Sequence, residues 1–217
     1  MADLTPLGTA CQPMFARPGD GRVCVSFSEA ARSIRNGDII LAPWIPLVGY
    51  AGRSRYGHAG MLAWWRAELM LLEFYVWGQA IPFRARVDYM PGTCDVYRAN
   101  AGGRWPEWKP GRAVDKMLEL LEQPLGWRST LEAALAHLPL LCWAASAARW
   151  LPGPGWYEAE DESNRPPQCT EAIAIADEAG GVDPVPHLAR RLTEPADLAR
   201  SPFYEYLFTV FPDDREE

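Results

Sequence analysis

No two of the five cysteines stand in a CxxC pair, and their number is odd. Both facts argue against a disulfide framework or a thiolate zinc site and point to a reduced compartment. The three histidines are dispersed and none lies in an HExxH motif, so neither a metal nor a cofactor is expected. A GxSxG nucleophile elbow and a phosphate-binding loop are absent as well. So is an excess of positive charge: a net charge of −7 speaks against a nucleic-acid groove. The longest strongly apolar, uncharged run, Leu138 to Ala148, is too short for a ~20-residue membrane span. It reads as a buried helix, with membrane contact the secondary reading. The start, Met1-Ala-Asp-Leu-Thr-Pro-Leu-Gly8, lacks the basic end and apolar centre of a signal peptide. The expected setting is therefore the cytoplasm, or delivery without a signal peptide by a phage or a secretion system. Internal repeats and low-complexity tracts are also missing.

What is present is ordinary globular material. The chain has 217 residues, 48% hydrophobic and 23% charged, enough for one domain over 1–217 with a substantial core. Much of the acidic charge lies in the 158–162 loop and the 213–217 tail, both read as solvated. Residues 1–27 read as an irregular arm carrying Pro6, Pro13 and Pro18. Ser28 is expected to cap a helix over 29–35, ended by Asn36-Gly37. Strands are expected over 38–42, 58–64, 69–76, 81–87 and 95–98, with Ala67-Glu68 as a hairpin turn. Apolar Val114, Met117, Leu118 and Leu121 predict a helix over 111–123. A second helical stretch is expected from Ser129 to about Trp150, then a Pro-rich loop over 152–167. A helix beginning at Cys169 and a final strand over 203–211 complete the order. Sheet first and helices later is an α+β arrangement.

Two residues carry the chemistry. Cys169 follows two prolines in Arg165-Pro-Pro-Gln-Cys-Thr-Glu and opens an apolar helix. Unpaired N–H groups at a helix start favour the thiolate. His58, in Tyr56-Gly-His-Ala-Gly60, heads a strand. An even-membered turn centred near Ala67 makes His58 face Tyr75 or Trp77. Glu73 then lies on the same face, its Cα roughly 7–8 Å from that of His58. An odd-membered turn would put Glu73 on the opposite face. Glu73 is the one charged residue within Met70–Val76, and a lone carboxylate in an apolar strand needs a partner. The roles follow: Cys169 as nucleophile, His58 as general base, Glu73 as the group that orients the imidazole. The Cys169 N–H is one oxyanion donor, with Gln168 or Tyr56 as the second. Gly57 and Gly60 are read as leaving room for substrate.

Each residue has a plainer reading. A lone cysteine before an apolar helix is usually core, a lone histidine a strand-end polar group, and Glu73 by itself a partner for an arginine. It is the joint placement that favours catalysis. His137 is read as a buried helix residue and His187 as surface. Cys11, Cys24, Cys94 and Cys142 are assigned to packing. Trp64, Trp77 and Trp143 are read as core or rim, while Trp105, Trp108 and Trp156 are loop residues able to line a groove.

The succession Gly37-Asp-Ile-Ile-Leu41, Gly57-His-Ala-Gly60, Glu73 and Cys169-Thr-Glu-Ala-Ile173 resembles the circularly permuted NlpC-type papain-like enzymes. That group includes YiiX-like and lecithin-retinol-acyltransferase-like proteins. The closing segment Glu194 to Pro202 is also similar to the one that follows the helix in YiiX-like members. The resemblance implies a permuted papain-like fold, in which an antiparallel sheet carries the histidine and a late helix carries the cysteine. It assigns Cys169 as nucleophile, His58 as base and Glu73 as third polar residue. It also implies hydrolysis or transfer at an amide, ester or thioester bond without metal or organic cofactor. Substrates in the group range from cell-wall peptides to lipids. The insert over 126–167 departs from the pattern, so the substrate is not inherited by analogy.

The expected function is a cysteine amidase or peptidase acting on a peptide or other acyl-containing substrate. Two alternatives stand beside it: a lipid-directed acyltransferase or thioesterase of the same fold, and a non-catalytic binding or virion component. The oligomeric state is left open.

Overall fold

The computed structural model describes residues 22–43, 55–74, 78–122, 167–188, 190 and 193–213. The expected helix from Ser129 to Trp150 lies outside these residues, as do Cys11, Cys142, His137, Trp77, Trp143 and Trp156. Of the 126–167 insert, only Pro167 falls within them.

Among the described residues, seven strands make one sheet with helices on both faces. In chain order they are β1 Cys24–Ser26, α1 Phe27–Ser33, β2 Ile39–Ala42, β3 His58–Trp65, β4 Glu68–Phe74, β5 Gly78–Pro82 and α2 Phe83–Tyr89. Then come β6 Cys94–Ala99, α3 Pro110–Leu121, α4 Cys169–Gly180, α5 Pro195–Arg200 and β7 Tyr204–Phe211. The strand order is β1-β7-β6-β2-β3-β4-β5. Every pairing is antiparallel except β1 with β7, which is parallel. The mixed α+β reading of the sequence matches this architecture.

Alternation along the strands divides the core in two. Ile39, Leu41, Ala59, Met61, Leu72 and Phe74 face α3 and α4, meeting Met117, Leu120, Ala172, Ile173 and Ala176. Ile40, Leu62, Leu69 and Leu71 face α1 and α2, meeting Ala30, Ile34, Phe83 and Val87. Each fully buried Leu, Ile or Met contributes roughly 1.5–3 kcal/mol relative to exposure. The sheet is therefore held from both sides: β2 is wholly buried, and β3 is buried except for Trp64 and Trp65 at its end.

Several expectations shift. The hairpin turn is Arg66-Ala67, not Ala67-Glu68: both residues have positive φ, 47° and 69°. Two left-handed residues give the twist that a two-residue hairpin requires. The turn is still even-membered, so Gly60 pairs with Glu73. Residues 81–87 do not continue as a strand. Pro82 lacks the N–H to extend a ladder, and Phe83 and Val87, four apart, are both buried on one face of α2. Within the arm read as irregular, Cys24–Ser26 is a strand, because β7 offers it an edge. The cap of α1 is Ser26, whose Oγ accepts from the Glu29 N–H at 3.3 Å. Ser28 instead gives its N–H and hydroxyl to Asp213, each at 2.8 Å. Trp108 is not a groove residue but core, packed edge-to-face with Phe203 and close against Gly37.

Gly60 leaves room for something other than substrate. A Cβ there would stand 2.6 Å from Leu71 Cδ1, 3.2 Å from Leu72 O and 3.3 Å from Glu73 Cβ. Its bareness admits the neighbouring strand. Gly60→Ala should therefore cost about 1–3 kcal/mol of stability through overpacking. Urea unfolding followed by circular dichroism checks this, and an unchanged midpoint would contradict it.

Candidate active site

His58 is the first residue of β3 and Glu73 the last but one of β4. The Gly60–Glu73 pairing places residue 58 two positions along the same face from residue 73's partner. His58 Nε2 and Glu73 Oε2 lie 2.9 Å apart, both side chains fully buried. Cys169 opens α4, which packs across the first core beside β3. Its thiol and the His58 imidazole act on each other electrostatically, holding the thiol down and the imidazole up. Since Nε2 is committed to Glu73, Nδ1 is the ring nitrogen left to meet the sulfur. The three residues singled out in the sequence thus come together, in the order thiol, imidazole, carboxylate. Cys169 is partly exposed as a residue, while His58 and Glu73 are sealed. That is the exposure a nucleophile and its supporting groups require.

The electrostatics fit that order. Burial alone would raise the Cys169 thiol, but the hydrogen bond and charge of His58, with the backbone N–H groups of Ala59 and Thr170, hold it below its ordinary value. Burial would depress His58, yet its hydrogen bonds to Cys169 and Glu73 lift it to about 9. Burial would raise Glu73, while His58 and the Arg86 charge hold it below the usual carboxylate range. The row thereby favours thiolate, imidazolium and carboxylate over their neutral forms.

Two partners of Glu73 were not foreseen. Its Oε1 accepts from Gln79 Nε2 at 2.7 Å and from the Arg86 guanidinium. Arg86 was hidden because 81–87 reads as a strand; the Phe83 and Val87 spacing was the signal for a helix. Gln79 carries no signal of its own, since its position across from Glu73 is set by the β4–β5 register.

The two second-donor candidates sit differently. Gln168 caps α4: its carbonyl accepts from the Ala172 N–H at 2.8 Å, and its own N–H donates to Glu171 Oε2 at 3.3 Å. The Tyr56 hydroxyl points into another cluster. It donates to Asp95 Oδ2 at 2.6 Å, lies 2.9 Å from the Tyr97 hydroxyl, and is joined there by Arg55. Thr209 donates to the other Asp95 oxygen at 2.6 Å. The first-turn N–H of Cys169 remains in place as a donor, having no intrahelical acceptor. Cys94 is sealed in the second core and His187 is exposed, as the sequence suggests.

Among the described residues, no three or more His, Cys, Asp or Glu side chains are grouped to hold a metal ion. In the thiol row the imidazole stands between sulfur and carboxylate, so the three do not converge on one point. No helix among the described residues is long and apolar enough to cross a membrane.

The sheet, flanked by helices on both faces, thus carries a thiol, an imidazole and a carboxylate in a row. No protein-family model and no curated protein matches the chain. Among solved structures, it is similar to the metalloprotein YiiX from Escherichia coli O157:H7. The match covers 82% of this chain and 98% of that one, with a TM-score of 0.54 and 13% identity. The architecture is therefore shared with YiiX.

Cys169 should behave unlike the other described thiols. Its lowered pKa keeps the thiolate populated at lower pH than in an ordinary cysteine. Cys94 is pushed up to about 12 by burial. At pH 7, iodoacetamide should alkylate Cys169 at least about tenfold faster than Cys94 and Cys24. Peptide mapping by mass spectrometry measures this, and equal rates would mark Cys169 as an ordinary thiol.

Proposed function

We propose that this chain is a thiol hydrolase of papain-like, circularly permuted architecture. It acts as an amidase or peptidase on an amide or related acyl bond, with cell-wall peptide as the candidate substrate. The observation that carries the reading is Cys169, a partly exposed residue at a helix start, beside the sealed His58–Glu73 pair. The order of histidine strand before cysteine helix, and the shared YiiX architecture, support it.

The chemistry follows from the row. The Cys169 thiolate attacks the carbonyl carbon, forming a C–S bond and placing negative charge on the carbonyl oxygen. The Cys169 N–H at the start of α4 is the candidate donor to that charge. His58, as imidazolium, gives its proton to the departing amine or alcohol while that bond breaks. Neutral His58 then takes a proton from water. The resulting hydroxide equivalent attacks the thioester carbon, releasing the acid and restoring thiolate and imidazolium. Glu73 steadies the imidazolium through Nε2 and stays ionised throughout.

An activated ester tests this without the natural substrate. 4-Nitrophenyl acetate should release a burst of nitrophenolate equal to the enzyme concentration as the acyl-enzyme forms. Cys169→Ala should fold normally and abolish the burst. His58→Ala should slow acylation by about 10²–10⁴-fold. A Cys169→Ala protein that retains turnover would end the proposal.

A further inference from the structure

Glu73 has more partners than the histidine alone. Three elements beyond its own strand converge on one fully buried carboxylate: β3 with His58, β5 with Gln79 and α2 with Arg86. Division of labour between its oxygens is complete: Oε2 faces the imidazole, and Oε1 takes both Gln79 and Arg86. Gln79 lies directly across the β4–β5 ladder from Glu73. Arg86 is largely buried, on a helix anchored in the second core by Phe83 and Val87. A carboxylate so far from water would otherwise take up a proton, and a neutral carboxyl could turn either oxygen toward the ring.

We propose that Arg86, with Gln79, is a positioning residue of the thiol site, holding Glu73 ionised and turned so that one oxygen faces His58. This rests on the reading of Cys169 as nucleophile and His58 as base. Arg86 reaches the thiol only through Glu73 and His58, and so from the opposite face of the sheet to α4. The charged and titratable groups around the carboxylate are His58 from β3, Arg86 from α2 and, beyond the imidazole, Cys169 from α4. Cys94 from β6 also feels both Arg86 and Glu73. Gln79 adds a donor without a charge. Withdrawing one positive charge from this row makes every proton in it harder to lose. The thiolate–imidazolium pair must then form at a higher pH than in the native protein.

The pH profile of Cys169 alkylation by iodoacetamide, measured on the full chain, reads this directly. Arg86→Met should raise the midpoint of the acid limb by about one pH unit or more. Arg86→Lys, which keeps the charge, should restore most of it, and Gln79→Leu should raise it by less. A midpoint within about 0.3 pH unit of native in Arg86→Met would overturn the proposal. Arg86 would then only tie α2 to the sheet, lowering Tm with no effect on the profile. If Arg86→Met does not fold, Gln79→Leu decides, and an unmoved limb there overturns it equally. Slow, unselective labelling of native Cys169 would overturn the nucleophile reading and this one together. A reactive native thiol with an unmoved limb removes only the role of Arg86.

Discussion

A carboxylate cut off from water has to be met by donors, and Glu73 sets that demand at the centre of this protein. Its two oxygens draw in His58, Gln79 and Arg86 from three separate elements. Those elements must hold fixed register for the donors to arrive. The two-residue Arg66-Ala67 turn sets β3 against β4, bare Gly60 lets the strands close beside Glu73, and Pro82 stops β5 so that α2 can fold back. Leaving such a group unmatched would cost several kcal/mol, a large fraction of the 5–15 kcal/mol that holds a typical domain together.

The same demand links the two layers of the fold. The helix that supplies the thiol packs on one face of the sheet and the helix that supplies Arg86 on the other. The row from Cys169 to Arg86 runs between them, hydrogen-bonded from His58 onward. In their ionised forms its groups alternate in charge, so each favours the ionised form of the next. A second buried acid, Asp95, is met in a comparable way by Tyr56, Thr209 and Arg55. Its partners are two hydroxyls, Tyr56 and Thr209, and two guanidiniums, Arg55 and Arg22. What separates the two clusters chemically is the pairing of an imidazole with a thiol in the first.

Likeness to YiiX extends over most of both chains and concerns architecture. At 13% identity it says nothing of activity. The catalytic reading stands on the row itself.

Much of the site was legible in the chain. A cysteine opening an apolar helix, a histidine heading a strand and a lone acid inside a strand are local patterns. Parity of the hairpin was enough to put His58 and Glu73 on one face, because strand side chains alternate with a period of two. The strands β2, β3, β6 and β7 and the helices α3 and α4 were readable within a few residues for the same reason: their apolar spacing is regular. Where the reading failed, distant contacts overrode local pattern. Ser28 has a capping side chain but spends it on Asp213. Cys24 to Ser26 become a strand only because β7 presents an edge. The Tyr56 hydroxyl, beside the histidine in sequence, is drawn to Asp95 across the sheet. Periodicity and punctuation therefore determined the elements and the three reactive groups. Which groups surround the carboxylate was decided by the tertiary structure alone, since Gln79 and Arg86 reach Glu73 through strand register and helix docking, which no local pattern encodes.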